Sequence, residues 1–174
     1  MKHKKIAVTA ITAAILCIFS PFSLPIGAVP VSLATFAICL ISCIMPWKQS
    51  VAAVTIYILL GACGLPVFSG FTGGFQQIAG LTGGFIIGYI PCSFIVSFFI
   101  NKYQDKKFVY PLSMIIGFFA CYFMGAVWYS LQTDTDFIAA LTVCVLPFVI
   151  GDTVKITVAT TLGIMLKNRL KKYI

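Results

Sequence analysis

Charge is what this chain has least of. Only 9% of its 174 residues are charged, with four acids against twelve Lys and Arg and a single His. His3 lies among Lys2, Lys4 and Lys5, so no imidazole is available inside the chain for a catalytic triad or a zinc site. No two carboxylates share an apolar run, which removes paired-acid hydrolysis. No G-x-x-x-x-G-K-[ST] occurs, so the chain has no phosphate-binding loop for ATP. The seven cysteines, Cys17, Cys39, Cys43, Cys63, Cys92, Cys121 and Cys144, form no C-x-x-C and have no His near them. They read as small buried hydrophobes rather than metal ligands. Neither an enzyme nor a cofactor protein is expected.

What is abundant is apolar. The chain is 60% hydrophobic with 16 Phe, and its mean hydropathy is +1.06. That composition is expected of an all-α, polytopic integral membrane protein. Its length allows about six helices of roughly 20 residues and no soluble domain besides, so residues 1–174 form one transmembrane unit. The six spans are drawn at 6–21, 31–46, 49–65, 81–100, 108–130 and 137–166. The short ones require tilt or local thinning of a core about 30 Å thick. Lys2 to Lys5 followed by an apolar run also has the outline of a signal peptide, but Pro21, Pro25 and Pro30 argue for a retained span.

The net charge of +8 is not spread over a face that would suit nucleic acid. Lys2, Lys4 and Lys5, then Lys48, then Lys102, Lys106 and Lys107, then Lys167, Arg169, Lys171 and Lys172 fall in alternate connections. Residues 21–30 and 64–80 carry no charge, and 132–136 carries only Asp134 and Asp136. Under the positive-inside rule this places both termini in the cytoplasm after an even number of crossings of a cell membrane, with lipid as the surrounding partner.

Inside the last apolar run, from Phe137 to Leu166, stand Asp152 and Lys155. An ionised group in the bilayer costs roughly 2.5–3.5 kcal/mol on insertion scales, so such groups pair, face the interior and mark a ligand or ion path. Three-residue spacing puts both on one helix face. About 20 residues of helix counted back from Lys167 reach Pro147, which places the pair toward the outer side. The connection between the third and fourth spans is the second informative stretch. Six glycines between 70 and 84 let its backbone approach a ligand, Thr72, Gln76, Gln77 and Thr82 offer hydrogen bonds, and Phe68, Phe71, Phe75 and Phe85 offer walls. Irregular backbone at membrane depth must line protein or water, so this loop is expected to cover a cavity. One acid, one base, amides and aromatic walls suit a small, partly apolar molecule with a few polar groups. A proton-coupled carrier or channel, in which Asp152 titrates, and a purely structural membrane subunit use the same residues.

Three runs carry a resemblance. YILLGACGLPVFSG from Tyr57 to Gly70, GLTGGF from Gly80 to Phe85, and IGDTVK from Ile150 to Lys155 resemble the signatures of the BioY family, the biotin-specific S components of energy-coupling-factor transporters. The likeness in size and layout covers the whole chain. It implies a membrane-embedded receptor that captures biotin outside and releases it inside, working with a separate T component and two ATP-binding subunits. Asp152 and Lys155 match the acid and base of the family's G-D-x-x-K motif. Thr82, Gly83, Gly84 and Phe85 match its T-G-G-[YF] run, expected at the pocket wall, with Gln77 and Phe71 of the preceding loop as further ligand contacts. Leu81 replaces the usual Pro, and Ala34 stands where Gln is common. Ala10 and Ala14 are spaced so that another helix can approach closely, and the resemblance makes them the surface that docks on the T component. An S component for a vitamin other than biotin remains the alternative within that fold.

Overall fold

The computed structural model describes residues 2–24, 30–103 and 106–170. Helices α1 (Lys2–Phe19), α2 (Ala34–Ile44), α3 (Trp47–Ala62), α5 (Gly83–Lys102), α6 (Val109–Thr133) and α7 (Phe137–Leu170) fall on the six apolar runs. Between them lie a short hairpin, β1 (Ser23–Leu24) with β2 (Val31–Ser32), and a one-turn helix α4 (Phe75–Ala79).

The boundaries follow from proline and glycine. α1 closes on the bond from the Ser20 N–H to the Leu16 carbonyl at 2.9 Å, just ahead of Pro21. α2 stops at Met45, whose φ −89° and ψ 149° are the extended conformation forced on a residue before proline, here Pro46. The span expected over 31–46 is therefore shorter as helix: residues 31–32 belong to β2, which pairs antiparallel with β1 through Ser23–Ser32 and Leu24–Val31. At 11 residues α2 rises about 16 Å, half of a bilayer core, whereas the 34 residues of α7 rise about 51 Å. α5 and α6 are each long and apolar enough to cross a membrane by themselves.

α5 and α6 make the most extensive helix pair, and α5 also packs on α3, α2 and α4. Their seam is built from glycine. A Cβ on Gly84 would meet the Trp128 Cβ, and one on Gly117 would lie 2.9 Å from Val96 Cγ2. Absent side chains let the two backbones close up, which is how helices associate where lipid supplies no hydrophobic drive. On the other side of α5, Ser42 of α2, Ser50 of α3 and Ser93 of α5 are fully buried and hydrogen-bonded to one another at 2.9, 2.8 and 3.3 Å. The outer surface is apolar, with Ile11, Ile18, Phe119, Phe123 and Val154 all exposed. Such a surface belongs in lipid.

Candidate functional site

The Gly/Phe connection does fold over a cavity. Its backbone is tied at both ends: the Gly70 N–H donates to the Pro21 carbonyl at 2.9 Å and the Gly74 N–H to the Gly61 carbonyl at 2.7 Å. Between these ties the Phe68 N–H bonds the Thr72 carbonyl at 2.9 Å. The turn carries Gly70 at φ +72° and Gly74 at φ +98°, and Phe71 itself sits at φ +57°. Left-handed backbone of this kind is why glycine recurs here.

Below the loop is a cavity of about 240 Å³. Its wall takes Ser32 from β2, Tyr57 from α3, Phe68, Ser69 and Thr72 from the loop, Gln77 from α4, Thr82, and Phe85, Ile86 and Tyr89 from α5. A neighbouring recess of about 30 Å³ shares Ser32, Phe85 and Tyr89 with it and adds Thr35, Tyr122, Phe148 and Lys155. Phe85, Tyr122 and Phe148 close around the junction, with ring centroids 5.7 to 6.5 Å apart. Main cavity and recess thus meet at an aromatic neck, and the recess ends on a cation.

Lys155 Nζ lies 3.3 Å from Asp152 Oδ1 and donates to Thr35 Oγ1 at 3.0 Å. An ammonium has three donors; Thr35 takes one and the ion pair with Asp152 at most one more, so at least one remains for another acceptor. Asp152 is only 5% exposed, and apart from this ion pair its carboxylate accepts no hydrogen bond from the described residues. Ser69 Oγ and Tyr122 OH are likewise buried without a hydrogen-bond partner among the described residues, and both lie on the walls. Ser69 and Tyr122, whose buried hydroxyls have no partner among the described residues, and Lys155 thus all line the enclosed space.

The expected site residues divide into two groups. Gln77, Thr82 and Phe85 line the main cavity, and Lys155 lines the recess. Asp152 stands behind Lys155 rather than on either wall. Gly83 and Gly84 do not face the cavity: a Cβ on Gly83 would strike the Ile78 carbonyl, and one on Gly84 would strike Trp128 and approach the Met124 carbonyl to 2.6 Å. Both glycines turn their open side to the helix seam, where they bring the start of α5 against α4 and α6. Phe71 is 61% exposed and turns outward onto Phe22, at a ring separation of 5.5 Å, instead of into the cavity. Ala10 and Ala14 are exposed on α1. Sequence reasoning missed Ser32, Thr35, Tyr57, Ser69, Tyr89 and Tyr122. The available signal was the three tyrosines, each a hydroxyl inside an apolar run, and Tyr89 one turn beyond Phe85 on the same helix face.

Comparison with known proteins agrees across sequence and structure. The BioY family pattern matches residues 1–172. A biotin transporter BioY2 of Lactococcus lactis subsp. cremoris is 31% identical, covering 95% of this chain and 91% of its own length. A probable biotin transporter BioY of Pyrococcus horikoshii is 33% identical, covering 94% of this chain and 96% of its own. Among solved structures, the S-component for biotin from an ECF-type ABC transporter superposes with a TM-score of 0.88 at 26% identity, over 96% of this chain and 92% of the other. On the match of nearly its full length, the chain belongs to the BioY family, a family of multi-pass membrane transport proteins.

Proposed function

We propose that this chain is the biotin-binding S subunit of a vitamin uptake transporter in the cell membrane. It captures biotin from the outer side and delivers it inward together with a T component and two ATP-binding subunits, its own termini being cytoplasmic. The observation that carries the reading is the two-part cavity: an aromatic and hydroxyl-lined chamber of about 240 Å³ that narrows to Lys155. A concave, mostly apolar space with a few convergent polar groups suits one small molecule. The relatives named as biotin transporters supply the identity of that molecule. Biotin fits the chemistry, since its fused rings are largely apolar and its ureido group and carboxylate need hydrogen-bonding partners. Ser69 Oγ, Tyr122 OH and the third donor of Lys155 are the groups assigned to it, with Gln77, Thr82 and Phe85 as further wall contacts.

The test is calorimetric titration of biotin into the purified chain in detergent. Saturable binding with one site per chain is expected, and ligand bound only to the folded state also raises its melting temperature. Heat indistinguishable from dilution at micromolar biotin would refute the proposal. Reconstitution with T and ATP-binding subunits in vesicles, with uptake followed on ATP addition, tests the transport half.

A further inference from the structure

The charge inventory of the cavity reaches further than the identity of its ligand. Every described residue on the wall of the main chamber is uncharged, and the recess contributes Lys155 alone. Residues 25–29, next to the hairpin, are also uncharged. Four other described cations on the helices lie well away from the cavity along their helix axes. Along their helices, Lys48 is about 14 Å from Tyr57, Lys102 about 20 Å from Tyr89, and Lys167 about 18 Å from Lys155. Lys5 sits about 21 Å from the end of α1, the end that meets Tyr57 through Ser20. None of them reaches the cavity.

Lys155 is itself already matched. Asp152 lies 3.3 Å away at 5% exposure, with no hydrogen-bond donor of its own among the described residues. A carboxylate brought to Lys155 would put two buried negative charges on one cation, and like charges sharing a site disfavour ionisation of both. A neutral acceptor, such as the carbonyl of a cyclic urea, takes a remaining ammonium donor without that penalty. The ligand's carboxylate is then left to the main chamber, whose polar side chains are uncharged: Gln77 and Ser69 offer donors, while the Thr72 hydroxyl donates to the Ser69 carbonyl and the Tyr57 hydroxyl pairs with Ser20. The only charges on the α6–α7 turn, which follows the Gln132 of α6 that donates to the Ala79 carbonyl of α4, are acidic, Asp134 and Asp136.

We infer that this protein binds the carboxylate end of its ligand without a counter-cation, so that its ligand class includes neutral biotin amides as well as biotin. This rests on the proposed function but is separable from it. The hydroxyl and amide donors of the chamber serve an amide carbonyl as they serve a carboxylate, and an amide avoids desolvating a charge.

The experiment is competition binding on the purified chain in detergent, comparing biotin, its primary amide and biotinyl-lysine, with wild type and Lys155→Met. Biotin and its primary amide are expected to bind within about threefold of each other. Biotinyl-lysine reports whether the chamber admits a longer tail, and its binding adds to the same conclusion. Lys155→Met is expected to weaken biotin and the primary amide by the same factor, because Lys155 meets the part they share. An amide weaker than biotin by about tenfold or more, the loss of a hydrogen bond to a charged group, with a Lys155→Met effect confined to biotin, overturns the inference while leaving biotin binding intact. Absence of biotin binding altogether removes both.

Discussion

Replacing Lys155 by Met separates what the ion pair does for the fold from what it does for the ligand. In the wild type, Asp152 has Lys155 as its ion partner and no hydrogen bond from any other described residue, and only 5% of it is exposed. Lys155→Met therefore strands a buried carboxylate. Breaking a buried pair from one side costs about 3–5 kcal/mol. For a chain of this size that is a fall of roughly 6–20 °C in melting temperature. Removing both charges, in Asp152→Ala with Lys155→Met, takes away the stranded charge, and replacement of buried pairs by apolar groups is commonly neutral. The double variant is expected to recover at least half of the lost melting temperature.

Biotin affinity should not follow that recovery. Lys155 lines the recess and retains at least one donor beyond Asp152 and Thr35. Losing a hydrogen bond from a charged group weakens binding by about 1.5–3 kcal/mol, or roughly 10–150-fold in Kd. That loss is expected in the single and the double variant alike. Melting curves and titration calorimetry on the same detergent preparations give both numbers. A double variant that regains stability and affinity together would show that the pair only holds α7 in place, and would refute its assignment to the ligand.

Gly84→Ala pushes a methyl group against Trp128 and the Met124 carbonyl. Overpacking of this kind costs about 1–3 kcal/mol and should lower the melting temperature, while an unchanged value would mean that the α5–α6 seam is looser than described. Ser50→Ala removes the serine bonded to both Ser42 and Ser93; an interhelical hydrogen bond in a membrane averages about 0.6 kcal/mol, so two bonds predict a loss near 1 kcal/mol, and a gain in stability would contradict it. Ala10→Leu adds bulk on the exposed side of α1. It is expected to leave biotin affinity of the isolated chain unchanged and to reduce uptake by the assembled transporter, and unaltered uptake would remove Ala10 from the docking surface.

The helices were legible because lipid imposes a single requirement, long apolar runs, and α5 and α6 meet it fully. The drawn run 137–166 and the observed α7 (Phe137–Leu170) differ only at the end, since nothing between Lys167 and Leu170 breaks a helix. The hairpin was not legible: two-residue strands leave no periodic signal, and their pairing spans a proline-bounded loop. Tyr57 and Tyr89 gave a signal only as hydroxyls inside apolar runs. Hydropathy counts a tyrosine in an apolar run as core, and both are buried, but their place on the cavity wall depends on how α3 and α5 face each other. Lys155 was legible for the opposite reason, since a charge in that setting needs a partner and a purpose.

Within the T-G-G-F run, Thr82 and Phe85 line the cavity while the two glycines between them pack helices. Gly83 and Gly84 bring the start of α5 against the end of α4 and against Trp128, whose indole N–H donates to the Gly80 carbonyl at 2.9 Å. That contact fixes the depth at which the next residue, Phe85, enters the bundle. Its ring then fills the space left by Gly125 on α6 and reaches Tyr122 and Phe148 at the neck between chamber and recess. A side chain at Gly84 would act on the ligand only by displacing Phe85, so its effect on affinity should scale with its effect on stability. Substituting Phe85 itself should change affinity out of proportion to stability. The glycines and the phenylalanine are thus adjacent in sequence for one geometric reason: the first two set the approach of α5, and the third stands on the cavity wall.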